Sequence, residues 1–135
     1  MYMADYRIER QELNTAFRVA KRADIRGREI CGMLVRQGNR LLLIPVKNAS
    51  KSLGSFSIAT SHMLIALSAH GLALGQVEGT YHSHPWSPAE PGETDITGAD
   101  NGSLMLILSC CYKDVRLWRI QDGEAKPVRF IRSRI

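Results

Sequence analysis

The stretch Leu104–Cys111, LMLILSCC, is apolar on both of the faces that a strand presents. Successive strand side chains point to opposite sides, so such a run has to be covered above and below. That makes it a central strand of a sheet with further elements packed on each face. A membrane span would need roughly 20 consecutive apolar residues, far more than this run supplies.

The rest of the chain offers suitable partners. Leu13, Ala16, Phe17 and Ala20 recur at i, i+3, i+4, i+7, which predicts an amphipathic helix over Arg10–Ala23. Asp24 to Arg28, with Gly27, ends it. Two apolar segments, Glu29–Arg36 and Arg40–Lys47, are joined by Gln37-Gly38-Asn39 and predict a hairpin. After a loop through Ser50–Ser55, Ser61 is positioned to cap a helix that Gly71 stops. Gln76–His82 predicts a strand, Trp86–Thr94 with two prolines and a glycine a loop, and Asp95 to Gly102 a short helix. Val115–Ile120 and Lys126–Ile131 predict a second hairpin around Asp122-Gly123. Helices interspersed with hairpin-linked strands give an α/β sandwich with a mixed sheet flanked by helices. The 135 residues amount to one domain, 1–135.

Three cysteines, Cys31, Cys110 and Cys111, cannot all pair within one chain, which fits a reducing cytoplasm. The opening MYMADYRIER is charged where a secretory signal needs an apolar core, so no secretory address is expected. The net charge of +5 is unevenly placed, with seven basic residues in the first 28 and seven in the last 23. Between Ser52 and Tyr112 there is no Lys or Arg, but five acids and all four histidines. A nucleic-acid site puts cations at its centre, whereas a divalent-metal site wants carboxylates and neutral imidazoles. The basic ends read as solvated faces.

Within that cation-free stretch lies Thr80-Tyr81-His82-Ser83-His84-Pro85. Histidines two apart on a strand share one face, about 6.5–7 Å apart along the backbone, and both can reach one ion at about 2.0–2.1 Å. Asp95, eleven positions after His84, is predicted at a helix start, from which a carboxylate can swing back as a third ligand. Two His and one Asp leave a fourth tetrahedral position for water, as in catalytic zinc sites. An isolated H-x-H is also compatible with two unrelated strand histidines. The stiffening prolines Pro88 and Pro91, the placement of Asp95, and Glu29 at the head of an apolar strand tip the balance.

Together these residues resemble the JAMM/MPN+ (Mov34/PAD-1-like, JAB domain) zinc metalloprotease family. Its signature is an upstream Glu, then H-[ST]-H-P, then Asp with ten residues between it and the second His. Here these are Glu29 in E-I-C-G-M-L-V, His82-Ser83-His84-Pro85, and Asp95 after Pro85–Thr94. The resemblance spans roughly Arg10 to Trp118 and implies an MPN/JAMM-like, cytidine-deaminase-like sandwich of the compact bacterial type. It implies Zn2+ held by His82, His84 and Asp95, with Glu29 taking a proton from the metal-bound water and passing it to the leaving amine. The substrates implied are isopeptide or peptide bonds after the tail of ubiquitin-like or sulfur-carrier proteins, with neither nucleic acid nor membrane as partner. One departure stands out: the family's usual Ser three positions before the Asp is Gly92 here. Loss of one oxyanion donor typically lowers rate on the order of 10²–10³. The Gly92 backbone N–H, Ser87 or Thr94 are candidate substitutes. The alternative is a non-catalytic MPN scaffold that binds partners.

Other candidates carry less. His62 and His70 bracket the second helix, and His70 is placed to complement its dipole. Cys31 shares a face with Glu29 and reads as a buried small hydrophobe, and Cys110 and Cys111 read as core. Trp86 reads equally as a loop anchor or a substrate contact, and Ser109 as a site residue or a satisfied core hydroxyl.

Overall fold

The computed structural model describes residues 6–133; the start of the chain, where a secretory core would sit, lies outside the described residues. The chain runs through β1 (Tyr6–Glu9), α1 (Arg10–Asp24), β2 (Cys31–Gln37), β3 (Arg40–Val46) and α2 (Thr60–Ala69). A single 3-10 turn at Leu74–Gln76 leads into β4 (Val77–His84), α3 (Glu93–Thr97), β5 (Leu104–Ser109), β6 (Asp114–Gln121), β7 (Glu124–Val128) and β8 (Phe130–Ser133).

The strands form one mixed sheet in the order β7-β6-β5-β4-β2-β3-β1-β8. β5 lies between β4, which it pairs in parallel, and β6, which it pairs antiparallel. All six of its residues are buried. Leu104, Leu106 and Leu108 point into a core shared with Ile8, Tyr81 and the α1 residues Leu13 and Ala16. Met105 and Ile107 point the other way, against Ala89 and Ile120, with Ile96 of α3 packed alongside. Leu67 of α2 covers Met33 and Val35 of β2 and Ile44 and Val46 of β3. The two-sided apolarity of β5 is thus matched by a layer on each side. Gly79 makes the β4–β5 approach possible, because a Cβ there would collide with the Leu104 carbonyl.

β7 and β8 occupy opposite ends of the strand order although Arg129 alone separates them in sequence. The sheet must therefore curl until its two ends approach. Across the closure, the Arg119 guanidinium of β6 donates to the Tyr6 hydroxyl of β1 at 3.0 Å.

Several expectations require correction. The segment expected as one strand over Lys126–Ile131 is divided between β7 and β8, and β8 pairs in parallel with β1 rather than with β6. Ser61 does not cap α2, whose N-cap is Ala59 without a side-chain bond. β4 begins later and runs to His84 rather than stopping at His82, while α3 is earlier and shorter than the expected Asp95–Gly102. β5 stops at Ser109, which leaves Cys110 half-buried and Cys111 exposed in a turn, not in the core. Glu29 precedes β2 instead of opening it. No helix among the described residues is long and apolar enough to cross a membrane.

Candidate metal centre

β4 carries His82 and His84 on one face, and Pro85, which has no N–H to donate, ends the strand immediately afterwards. The two Nε2 atoms lie 3.1 Å apart. Asp95, the third residue of α3, turns back between them, with Oδ1 3.3 Å from His82 Nε2 and Oδ2 3.2 Å from His84 Nε2. Gly92 is the N-cap of α3, and its N–H donates to Asp95 Oδ2 at 2.9 Å, fixing the carboxylate. Four ligands at about 2.0–2.1 Å from a tetrahedral ion sit about 3.3–3.4 Å from one another. The spacings here, 3.1, 3.2 and 3.3 Å, lie at or slightly below that range, and the donor set of two imidazoles and one carboxylate suits zinc.

The tautomers are set by the surroundings. His84 Nδ1 lies 2.8 Å from the Pro88 carbonyl, which only accepts, so the ring proton belongs on Nδ1 and the Nε2 lone pair faces the centre. His82 is fully buried, and its ring stacks on Phe56 at 4.4 Å between centroids. Burial pushes the His82 pKa down, against the pull of Asp95. Burial works on His84 too, but its bonds to Asp95 and Pro88 and the charges of Asp95 and Glu29 prevail, and its pKa is raised. Burial disfavours the Asp95 anion, yet bonds from both histidines and Gly92 hold its carboxyl far below the usual carboxylate range. An anionic Asp95 beside an uncharged His82 is the charge state that a cation requires.

Glu29 is brought to the same place by a clasp. Ser83 donates its N–H to the Ile30 carbonyl at 3.1 Å, and its hydroxyl accepts the Ile30 N–H at 2.9 Å. The middle residue of His-Ser-His thus ties the neighbour of Glu29 to β4, while the Asn48 side-chain amide donates to the Glu29 carbonyl at 2.9 Å. Glu29 is only 6% exposed, and its Oε1 is buried without a hydrogen-bond partner among the described residues. Burial pushes its pKa up to about 7; the His84 charge opposes this, while Asp95 and Asp24 reinforce it. Two clefts flank the centre. One of about 720 Å³, between α1 and β3, reaches Glu29, and one of about 490 Å³ reaches Asp95 and Phe56.

His82, His84, Asp95 and Glu29 are therefore together, whereas His62 remains on α2 and His70 caps its C-terminus, where the His70 ring bonds the Ala66 carbonyl. Gly92 cannot offer its N–H to a substrate oxygen, because Asp95 already accepts it. Thr94 is exposed in the Asp95 cleft, and the Ser87 carbonyl accepts from Ser109, which in turn accepts the Tyr112 N–H. Ser109 is thus a satisfied hydroxyl that anchors the 85–92 loop. Cys31 is buried beside His82 in register, and burial followed by the Glu29 charge pushes its thiol up to about 11. Sequence reasoning missed Phe56, the Pro88 carbonyl, Asn48 and the clasp by Ser83. Only Ser83 had a signal, its place inside the histidine motif.

A family model described as prokaryotic homologs of the JAB domain matches residues 10–121. A Desulfitobacterium hafniense protein solved in solution is similar in fold, with a TM-score of 0.79, 22% identity, and 96% of this chain and 94% of that one covered. A JAB1/MPN domain protein from Archaeoglobus fulgidus gives 0.60 at 19% identity, with 96% and 97% covered. A structure described as a JAMM metalloprotease-like zinc site in the proteasome and signalosome gives 0.55 at 19%, with 95% and 99% covered. No curated protein sequence matches the chain.

Proposed function

This chain belongs to the family of prokaryotic homologues of the JAB domain, and from that premise we propose that it is a zinc-dependent hydrolase of peptide or isopeptide bonds. The observation that carries the reading is the convergence of three donor atoms at tetrahedral spacing next to a buried carboxyl whose pKa is about 7. His82, His84 and Asp95 would hold the ion. When bound, zinc supplies a Lewis acid that polarises a carbonyl and acidifies water.

The residues around it handle orientation and protons. The Pro88 carbonyl and the Gly92 N–H keep His84 and Asp95 aimed. Phe56 packs against His82 and keeps water from that side. Glu29 acts at neutral pH as both base and acid, because a pKa near the working pH lets one carboxyl accept a proton and then release it. Its Oε1 takes the proton from the attacking water and delivers it to the departing amine nitrogen.

The substrate proposed is the extended C-terminal tail of a ubiquitin-like or sulfur-carrier protein, with the clefts that reach Glu29 and Asp95 offering room for it. The three free thiols accord with work in a reducing cytoplasm. A second reading, a non-catalytic scaffold, draws on Gly92, which lacks the hydroxyl and whose N–H is already engaged. Elemental analysis combined with cleavage of a Gly-Gly-terminated modifier fusion separates the two. About one zinc per chain, lost in His82→Ala, with cleavage abolished in Glu29→Ala, supports the hydrolase. Zinc without turnover on any such fusion supports the scaffold, and the absence of zinc refutes the metal centre and with it the hydrolase.

A further inference from the structure

We propose that an apolar patch formed by Trp86 and Leu53 over Gly27, with exposed Ile25 two residues earlier in the chain and a cationic rim, docks an acidic polypeptide segment of the substrate beside the metal centre. The identification of the occupant as substrate rests on the hydrolase reading; the patch itself stands on separate observations.

Three loops build it. The Gly54 N–H donates to the Gly27 carbonyl at 3.3 Å, and the Arg28 guanidinium donates to the Ser50 carbonyl at 2.8 Å, which joins the segment after α1 to the segment after β3. Trp86 closes over this junction. A Cβ at Gly27 would lie 2.8 Å from Trp86 Cη2 and 3.7 Å from Leu53 Cδ1, so the indole sits on the bare backbone of Gly27. A loop anchor would be buried, but Trp86 is 66% exposed, Leu53 63% and Ile25 86%. An aromatic seated at one edge and open on its face is organised in advance to receive an apolar side chain.

The two loops joined at Gly27 are rich in cations. Arg26, Arg28, Lys47 and Lys51 lie on these loops, and none of them makes an ion pair among the described residues. Between Ile25 and Leu53 the only acid is Glu29, which is buried. Asp24 interacts with Cys110 instead. Arg28 and Lys47 also line the cleft that reaches Glu29, where the neighbouring Glu9 and Glu12 are paired with Arg40, so the patch continues into the site. An apolar centre with a charged rim is the anatomy of a protein interface, whereas a nucleic-acid footprint puts its cations in the middle. The occupant is accordingly a polypeptide with acidic residues around an apolar one.

The test uses zinc-loaded Glu29→Gln protein, which holds a probe without cleaving it, and labelled peptides of roughly a dozen residues read by fluorescence anisotropy. Each peptide has Gly-Gly followed by one Leu set among Asp and Glu, or among Lys. The acidic peptide should bind about tenfold more tightly than the basic one, with the preference shrinking at high salt. Trp86→Ser should weaken the acidic peptide about tenfold, and Arg26→Glu with Lys51→Glu should erase the preference, all with zinc content unchanged. Equal binding of the two peptides, indifference to Trp86→Ser, or tighter binding of a thymidine oligonucleotide of similar length overturns the proposal. If the acidic preference holds while wild-type protein cleaves no Gly-Gly fusion, the hydrolase reading fails and the docking surface remains.

Discussion

A buried carboxyl with a raised pKa is a liability to the fold, and Glu29 allows that liability to be measured. Its pKa goes from 4.5 to about 7 on folding, chiefly through burial. Between those two values the folded protein binds a proton that the unfolded chain has released. Stability therefore falls as pH rises through this window and is lowest above it. At about 1.36 kcal/mol per pH unit, the penalty above pH 7 is on the order of 3 kcal/mol. Glu29→Gln removes the titration while keeping the shape. A glutamine brings its own burden, since a buried amide without partners is destabilising by about 1–3 kcal/mol, but that burden is the same at every pH. The diagnostic is thus the difference between variant and wild type at pH 8.5 minus the same difference at pH 4.5. Urea titrations with a chelator present, so that neither protein carries metal, should show the variant gaining about 3 kcal/mol relative to wild type from the low pH to the high. His84 and Asp95 titrate in both proteins and cancel to first order. A difference that does not change with pH, or one that grows in the opposite direction, would refute the claim that Glu29 is held protonated by burial.

The other expectations are briefer. Zinc at a hundredfold excess over its dissociation constant should stabilise the protein by about 2.7 kcal/mol; a melting curve that ignores chelator in wild type would contradict the site, and Asp95→Asn should abolish the response. Ser83→Ala leaves the partly buried Ile30 N–H without its partner, so it should lower stability by about 1–3 kcal/mol while zinc content stays at one per chain. Gly79→Ala drives a Cβ into the Leu104 carbonyl and should prevent recovery of soluble folded protein, whereas Gly75→Ala, with open space around it, should melt within a few degrees of wild type.

What the sequence disclosed follows from how local each cause is. α1 was legible because its apolar stripe lies within the helix itself, and β5 because two-sided apolarity has few other uses. β1 was not, because Tyr6–Glu9 alternates weakly and passes straight into α1; its strand conformation comes from pairing with β8, remote in sequence. The same remote pairing divides the expected last strand into β7 and β8. Cys110 and Cys111 misled because the apolar run outlasts the strand by two residues and continues into the turn. At the candidate site, His82, His84 and Asp95 could be found from spacing within one segment. Phe56 and Asn48 could not, since their roles depend on where a loop folds back over β4 and on the path of the chain before β2.

The single-residue link between β7 and β8 has a consequence for how the molecule is made. β8 forms a four-residue ladder with β1, at the far end of the strand order from β7. As the chain emerges from a ribosome, β1 must wait for more than a hundred later residues before its outer edge is satisfied. A bare edge is where strands of different molecules join. Truncation ahead of Phe130 would make that waiting state permanent, and the shortened product should accumulate as aggregates even though every residue of the metal centre is intact.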